Sequence, residues 1–282
     1  MVVLGKKTSL PILKRTDFGY YLDGDNMGEI LMPKRYITDD MKIGECVDVF
    51  IFLDGEERIV ATTETPIAEV GEFGWMRVSK VENVGAFMDW NVSKELLVPF
   101  SEQKIKMEEG KSYMIYVYLD PLTDRLAGTM KLEKHLDKSF PEYKIGTEVM
   151  TQIWTITDVG YKCIIDGKHL GILYKNEVYK RIFPGQKLTT YIKKVREDGK
   201  IDLSMEPIGH IRFDINSQAI MDLLLKSGGK LPYNDKTDPE VINKIFGISK
   251  KVFKAAIGTL YKQKLIEITE NGIVKSQPTE SK

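Results

Sequence analysis

Over roughly the first three quarters of the chain the apolar residues alternate with polar ones as strands require; near residue 214 the period changes to that of a helix. CVDVFIFLD (46–54), YMIYVYLD (113–120) and LTTYIKKV (188–195) combine alternation with β-branched and aromatic residues, which predicts strands. LDGEER, LDPLTDR and REDGK follow them as hairpin turns built from Asp, Gly and Pro. Three segments, 18–66, 84–131 and 159–206, repeat one order of features: an X-Gly-X-X opening, a polar turn, an apolar strand, a polar stretch ending at Gly44, Gly110 or Gly185, then the strand and turn just quoted and a last strand. TSLPILKR, GWMRVSKV and EVMTQIWTI add one strand before each repeat. Five short antiparallel strands in a unit of about 70 residues predict a small closed barrel, the OB fold, copied three times. A bulge at Gly19 would place Phe18 and Tyr21, three residues apart, on one face, and the same logic applies at Gly85 and Gly160. The alternative is that each glycine merely permits a tight barrel bend.

The C-terminal pattern differs. INSQAIMDLLLKSGG sets Ile220, Leu223 and Leu224 on one helical face and ends at Gly228-Gly229. TDPEVINKIFG opens on Asp238 as N-cap with Pro239 at the first helical position, and Ser249 caps a third helix, KKVFKAAIGTLYKQK. LIEITENGIVK reads as a hairpin turning at Asn271-Gly272. Three helices and a hairpin resemble a winged-helix domain.

The repeats resemble the RNA-binding OB-fold repeat named after small-subunit ribosomal protein S-one. The likeness rests on the openings Phe18-Gly19-Tyr20-Tyr21-Leu22, Val84-Gly85-Ala86-Phe87-Met88 and Val159-Gly160-Tyr161-Lys162-Cys163, on the third strands GEILMP, KELLVP and LGILYK, and on the close IDLSM. It implies an RNA face carrying Phe18, Tyr21, Phe87 and Tyr174, with Val84, Val159, Pro33, Pro99 and Lys162 departing from the family pattern. Stacking physics points independently to the third unit, where Tyr161, Lys162 and Tyr174 accompany Lys193, Lys194 and Arg196. Tyr161 and Tyr174 could instead close the barrel. On the third helix of the last module, Lys250, Lys251 and Lys254 suit phosphate contacts. Three such barrels followed by a winged helix are similar to the bacterial conserved virulence factor B (YitL-like) family. That resemblance implies a non-catalytic, cytoplasmic RNA-binding regulator of gene expression.

The expected organisation is therefore mainly β with an α+β C-terminal module: barrels over 1–68, 69–131 and 146–208, a helical spacer over 132–145, a winged helix over 214–275 and a disordered tail over 276–282. The expected ligand is single-stranded RNA. A DNA-binding transcriptional regulator, or a scaffold docking the ribosome or polymerase, is the alternative.

Charge changes this picture only in its distribution. The chain has equal numbers of basic and acidic residues, yet residues 1–70 carry a net −5 and residues 208–282 a net +4, so a polyanion should prefer the C-terminal half. No Walker loop, GxSxG or HExxH is present, and His135, His169 and His210 lack metal-ligand spacing and read as surface or turn residues. No catalytic residue, metal or cofactor is expected, and no small-molecule substrate. Cys46 and Cys163 read as buried thiols, and no apolar run reaches the length of a membrane span.

Overall fold

A computed structural model describes residues 1–178, 180–206 and 215–276. It divides into two compact units, residues 1–208 and 209–282, each described by itself. The first contains three closed five-stranded barrels. Barrel 1 is built from β1 (Lys7–Arg15), β2 (Gly19–Asp23), β3 (Glu29–Pro33), β4 (Cys46–Leu53) and β5 (Ile59–Thr62). Barrel 2 uses β6 (Phe73–Glu82), β7 (Gly85–Asp89), β8 (Leu96–Pro99), β9 (Ser112–Leu119) and β10 (Leu126–Thr129). Barrel 3 uses β11 (Glu148–Ile156), β12 (Gly160–Ile165), β13 (His169–Tyr174), β14 (Lys187–Val195) and β15 (Ile201–Ser204). In each, the first strand pairs with the second and fourth, and the third pairs in parallel with the fifth, so no sheet edge is left open.

Alternation decides what fills the barrels. In β2, Tyr20 and Leu22 are buried while Tyr21 between them is half-buried; in β7, Ala86 and Met88 are buried and Phe87 is half-buried. Neither strand is bulged at its opening glycine, since Gly19 stands opposite Pro33 and Tyr20 opposite Met32 without a break, and Gly85 and Ala86 stand likewise opposite Pro99 and Val98. The bulge expected there lies instead on the first strand of each barrel. Register slips by one residue between Ile12 and Lys14, between Val78 and Lys80, and between Ile153 and Thr155. The glycines serve another purpose: a Cβ on Gly19, Gly85 or Gly160 would lie 2.0, 2.3 or 2.3 Å from the carbonyl oxygen of Met32, Val98 or Leu173. Only a residue without a side chain lets the second strand approach the third this closely.

Neighbouring barrels share apolar cores. Phe50 and Phe52, on β4, join the buried cluster of barrel 2, and Phe50 meets Trp90 edge-on at 5.5 Å. Between barrels 2 and 3, Leu132 of the connecting segment is buried with Phe73, Met114 and Ile164, and Leu136 and Trp154 pack against them. The helix expected over 132–145 is reduced to one 3-10 turn, Leu132–Lys134, because the segment's task is to fill a junction with two leucines. His135, at a bend, is half-buried; it stacks on Tyr116 at 4.0 Å, and burial lowers its pKa. His169 is likewise half-buried, 3.2 Å from the Tyr143 hydroxyl, and His210 lies outside the described residues. Cys163 is buried but Cys46, the outward-facing first residue of β4, is exposed.

The second unit contains α1 (Ile215–Lys226), α2 (Pro239–Phe246) and α3 (Lys250–Lys262), with β16 (Lys230–Leu231), β17 (Ile266–Thr269) and β18 (Gly272–Lys275) in one sheet. Asp238 accepts a hydrogen bond from the Glu240 amide at 2.8 Å, Gly247 ends α2 in the left-handed region, and Ser249 accepts from the Val252 amide at 3.4 Å. Phe253, Ala256, Ile257 and Leu260 of α3 form the core with Ile220, Leu224 and Ile242. Apart from Ser276, the tail expected over 276–282 lies outside the described residues.

Candidate nucleic-acid interface

The bulge on each first strand determines the surface chemistry. Past the bulge, Lys14 stands opposite Tyr21 and Lys80 opposite Phe87. Directly opposed residues of antiparallel strands share a face, so each ammonium lies over its neighbour's ring, 5.2 Å from the Tyr21 centroid and 4.7 Å from that of Phe87. Barrel 3 makes the same pair with the strands exchanged. Here the second strand carries the cation, Lys162, and the bulged residue of the first strand carries the ring, Trp154, 5.6 Å apart. Lys104, from barrel 2, approaches the same indole at 5.5 Å. Each barrel therefore bears one cation–ring pair at the seam of its first two strands.

Phe18 stands just before the first of these seams and is 73% exposed. Tyr174 ends β13 half-buried; the Arg196 guanidinium lies 5.9 Å from its ring and donates to its hydroxyl. Tyr161 does not join them. It occupies the inward position equivalent to Tyr20 and Ala86 and packs on the barrel 3 core, because the register of β12 places Lys162, not Tyr161, outside. Lys193 and Lys194 are both exposed on β14. In the second unit Lys251 and Lys254 are exposed and Lys250 half-buried at the start of α3.

Most of these cations already have carboxylate neighbours. Lys14 pairs with Glu29 at 2.6 Å, Lys80 with Glu82 at 2.9 Å and Glu95 at 3.4 Å, Lys193 with Glu177 at 2.5 Å, Arg196 with Asp202 at 2.9 Å and Lys254 with Asp235 at 3.6 Å. Hydrogen bonding to Glu82 raises the Lys80 pKa, and hydrogen bonding to Asp202 raises that of Arg196. Among the described residues Lys162 and Lys194 have no such ion pair, so the third barrel keeps the more available positive charge. Sequence reasoning does not single out Lys14, Lys80, Lys104 or Trp154. The signal for Lys14, Lys80 and Trp154 is the repeated strand before each opening glycine, but the slip in register that aims them is not written in residue types, and Lys104 lies in the β8–β9 connection outside that strand.

Comparison with known proteins fits this architecture. Residues 4–64 match the S1 domain family and residues 218–274 match the CvfB-like winged helix domain. An uncharacterized protein YitL of Bacillus subtilis is 29% identical over 287 residues, covering 95% of this chain and 92% of that one. Conserved virulence factor B of Staphylococcus saprophyticus is 27% identical over 286 residues, covering 98% and 95%, and the Staphylococcus aureus protein of the same name is 26% identical over 275 residues, covering 94% and 92%. The chain is a homologue of conserved virulence factor B and YitL. Its S1 match falls on barrel 1 and its CvfB-like winged-helix match on the second unit. Among solved structures, a multidomain protein with nucleic acid binding domains from Streptococcus pneumoniae is 25% identical, covering 96% of this chain and 98% of that one, with a TM-score of 0.43. Among the described residues no helix is long and apolar enough to cross a membrane, and no group of His, Cys, Asp and Glu is arranged to hold a metal ion.

Proposed function

We propose that this protein binds single-stranded RNA without catalysis and regulates gene expression in the bacterial cytoplasm. The observation that supports it best is the cation–ring pair repeated on all three barrels. Bases stack on exposed rings, at about 1–3 kcal/mol each, and neighbouring cations hold the phosphates. A flat ring accepts any base, which suits a sequence-tolerant grip on unpaired RNA, whose bases are free to turn outward. Tyr174 with Arg196, and Lys162 and Lys194, which form no ion pair among the described residues, make barrel 3 the strongest of the three sites in this reading. Lys250, Lys251 and Lys254 add phosphate contacts from the winged helix and carry no base-reading amide or guanidinium among them.

The test is fluorescence anisotropy of labelled single-stranded RNA and duplex DNA of equal length at two salt concentrations. RNA is expected to bind more tightly, and its affinity to fall with salt only in part, because stacking is screened less than phosphate pairing. Tighter binding of the duplex would refute the reading and favour a DNA-binding regulator.

A further inference from the structure

The β4–β5 hairpin of barrel 1 leans on the outer face of barrel 2 and closes one side of a cleft of about 420 Å³, a volume in the range of small-molecule pockets. Phe87, Leu97 and Pro99 of β7 and β8 form its apolar floor, with Arg125 of the β9–β10 hairpin on one wall and Phe52 and Glu57 of barrel 1 on the other. Arg125 and Glu57 form an ion pair between the two hairpins, each side chain 55% exposed. Lys94 also lines the cleft, and its ammonium donates to the Asp54 carbonyl at 2.6 Å. We propose that this cleft receives one nucleotide, its base against Phe87 and Leu97 and its phosphate on Arg125, which exchanges Glu57 for the ligand.

The inference rests on the RNA-binding reading and narrows it. Barrel 1 stands beside the ring of Phe87 as a wall, so a strand does not run straight on across this part of barrel 2. The fitting ligand is a terminal or splayed-out nucleotide, with a base for the floor and an anion for the mouth. Lys94 adds a second reason for an anion. Burial first, and the charge of Arg125 next, lower its pKa, while Asp54 and Glu57 act the other way; since Glu95 and Asp120 also line the cleft, the phosphate's place is beside these two cations.

The experiment is calorimetric titration of the full chain with adenosine 5′-monophosphate and, separately, with an RNA hexamer. Wild type is compared with Arg125→Ala, Glu57→Gln and Phe87→Leu, each checked for folding by circular dichroism. The monophosphate is expected to bind. Arg125→Ala should weaken it about tenfold, the worth of one charge-assisted hydrogen bond, and Phe87→Leu should weaken it as well. Glu57→Gln is expected to tighten it severalfold by freeing Arg125, an effect opposite in sign to the loosening that a purely structural ion pair would give. No monophosphate binding, or binding indifferent to Arg125→Ala, overturns the cleft, and hexamer binding in that case leaves the wider RNA reading standing. Monophosphate bound through Arg125 with no hexamer binding keeps the cleft as a nucleotide site and defeats the strand reading.

Discussion

Replacing Gly19 by alanine should destabilise barrel 1 severely, and the structure separates the two reasons. The new Cβ would sit 2.0 Å from the Met32 carbonyl oxygen, where ordinary carbon–oxygen contacts are about 3.3 Å or more. β2 and β3 must therefore part by about 1 Å along a row of ladder hydrogen bonds, a form of overpacking that costs about 1–3 kcal/mol. The φ of Gly19 is 154°, and side chains in that region cost roughly another 1–3 kcal/mol. The sum, about 2–6 kcal/mol, is a large share of the roughly 5–15 kcal/mol that holds a domain folded. Gly44 in the same barrel has φ 91° but open space around its Cβ position, so Gly44→Ala should show the backbone cost alone, about 1–2 kcal/mol. Gly160, outside the positive-φ region but with a Cβ position 2.3 Å from the Leu173 oxygen, should show the clash alone. Thermal unfolding by circular dichroism checks the series, at about 2–4 °C per kcal/mol for a compact unit spanning residues 1–208. Gly19→Ala no more harmful than Gly44→Ala, or a harmless Gly160→Ala, would refute the claim that close approach of strands is what demands glycine.

Three further outcomes are expected. Burial pushes the Cys163 thiol up to about 12, so at pH 8 it holds almost no thiolate, and Ellman's reagent should titrate one thiol, the exposed Cys46, in the native protein and two in denaturant. Lys162→Ala should lower the slope of log affinity against log salt for single-stranded RNA by about 0.7, the share of one phosphate contact; an unchanged slope removes Lys162 from the phosphate path. Arg196→Ala leaves the Asp202 carboxylate and the Tyr174 hydroxyl without their shared partner, and should weaken RNA binding more than Tyr174→Phe, which keeps the ring; equal losses would show that the hydroxyl, not the held ring, matters.

The repeat was legible because strands, turns and glycines are local signals, and a motif met three times reinforces itself. The winged helix was legible for the same reason, since Asp238, Ser249 and Gly247 mark their own helix ends. The surface is harder. A one-residue slip at Leu13, Ser79 or Trp154 changes which side chains meet across two strands, and no residue type announces it. A tyrosine beside a lysine suggests a ring facing a ligand at Tyr161, whereas the unbroken pairing of β12 with β13 turns it inward. Lys193 reads as available to phosphate, but Glu177, sixteen residues earlier in sequence, reaches it across the barrel. The helical spacer fails because its leucines serve a junction between two barrels, a demand set by neighbours rather than by its own composition.

Phe50 and Phe52 belong by sequence to the first barrel and by packing to the second. The first two modules are therefore not beads on a thread, and their stabilities should not add as those of solenoid repeats do. A truncation that severs them would bare a greasy aromatic patch on one fragment and hollow out the other. Evolution can copy such a barrel, but once the copies have grown into each other it cannot drop one without unmaking its neighbour.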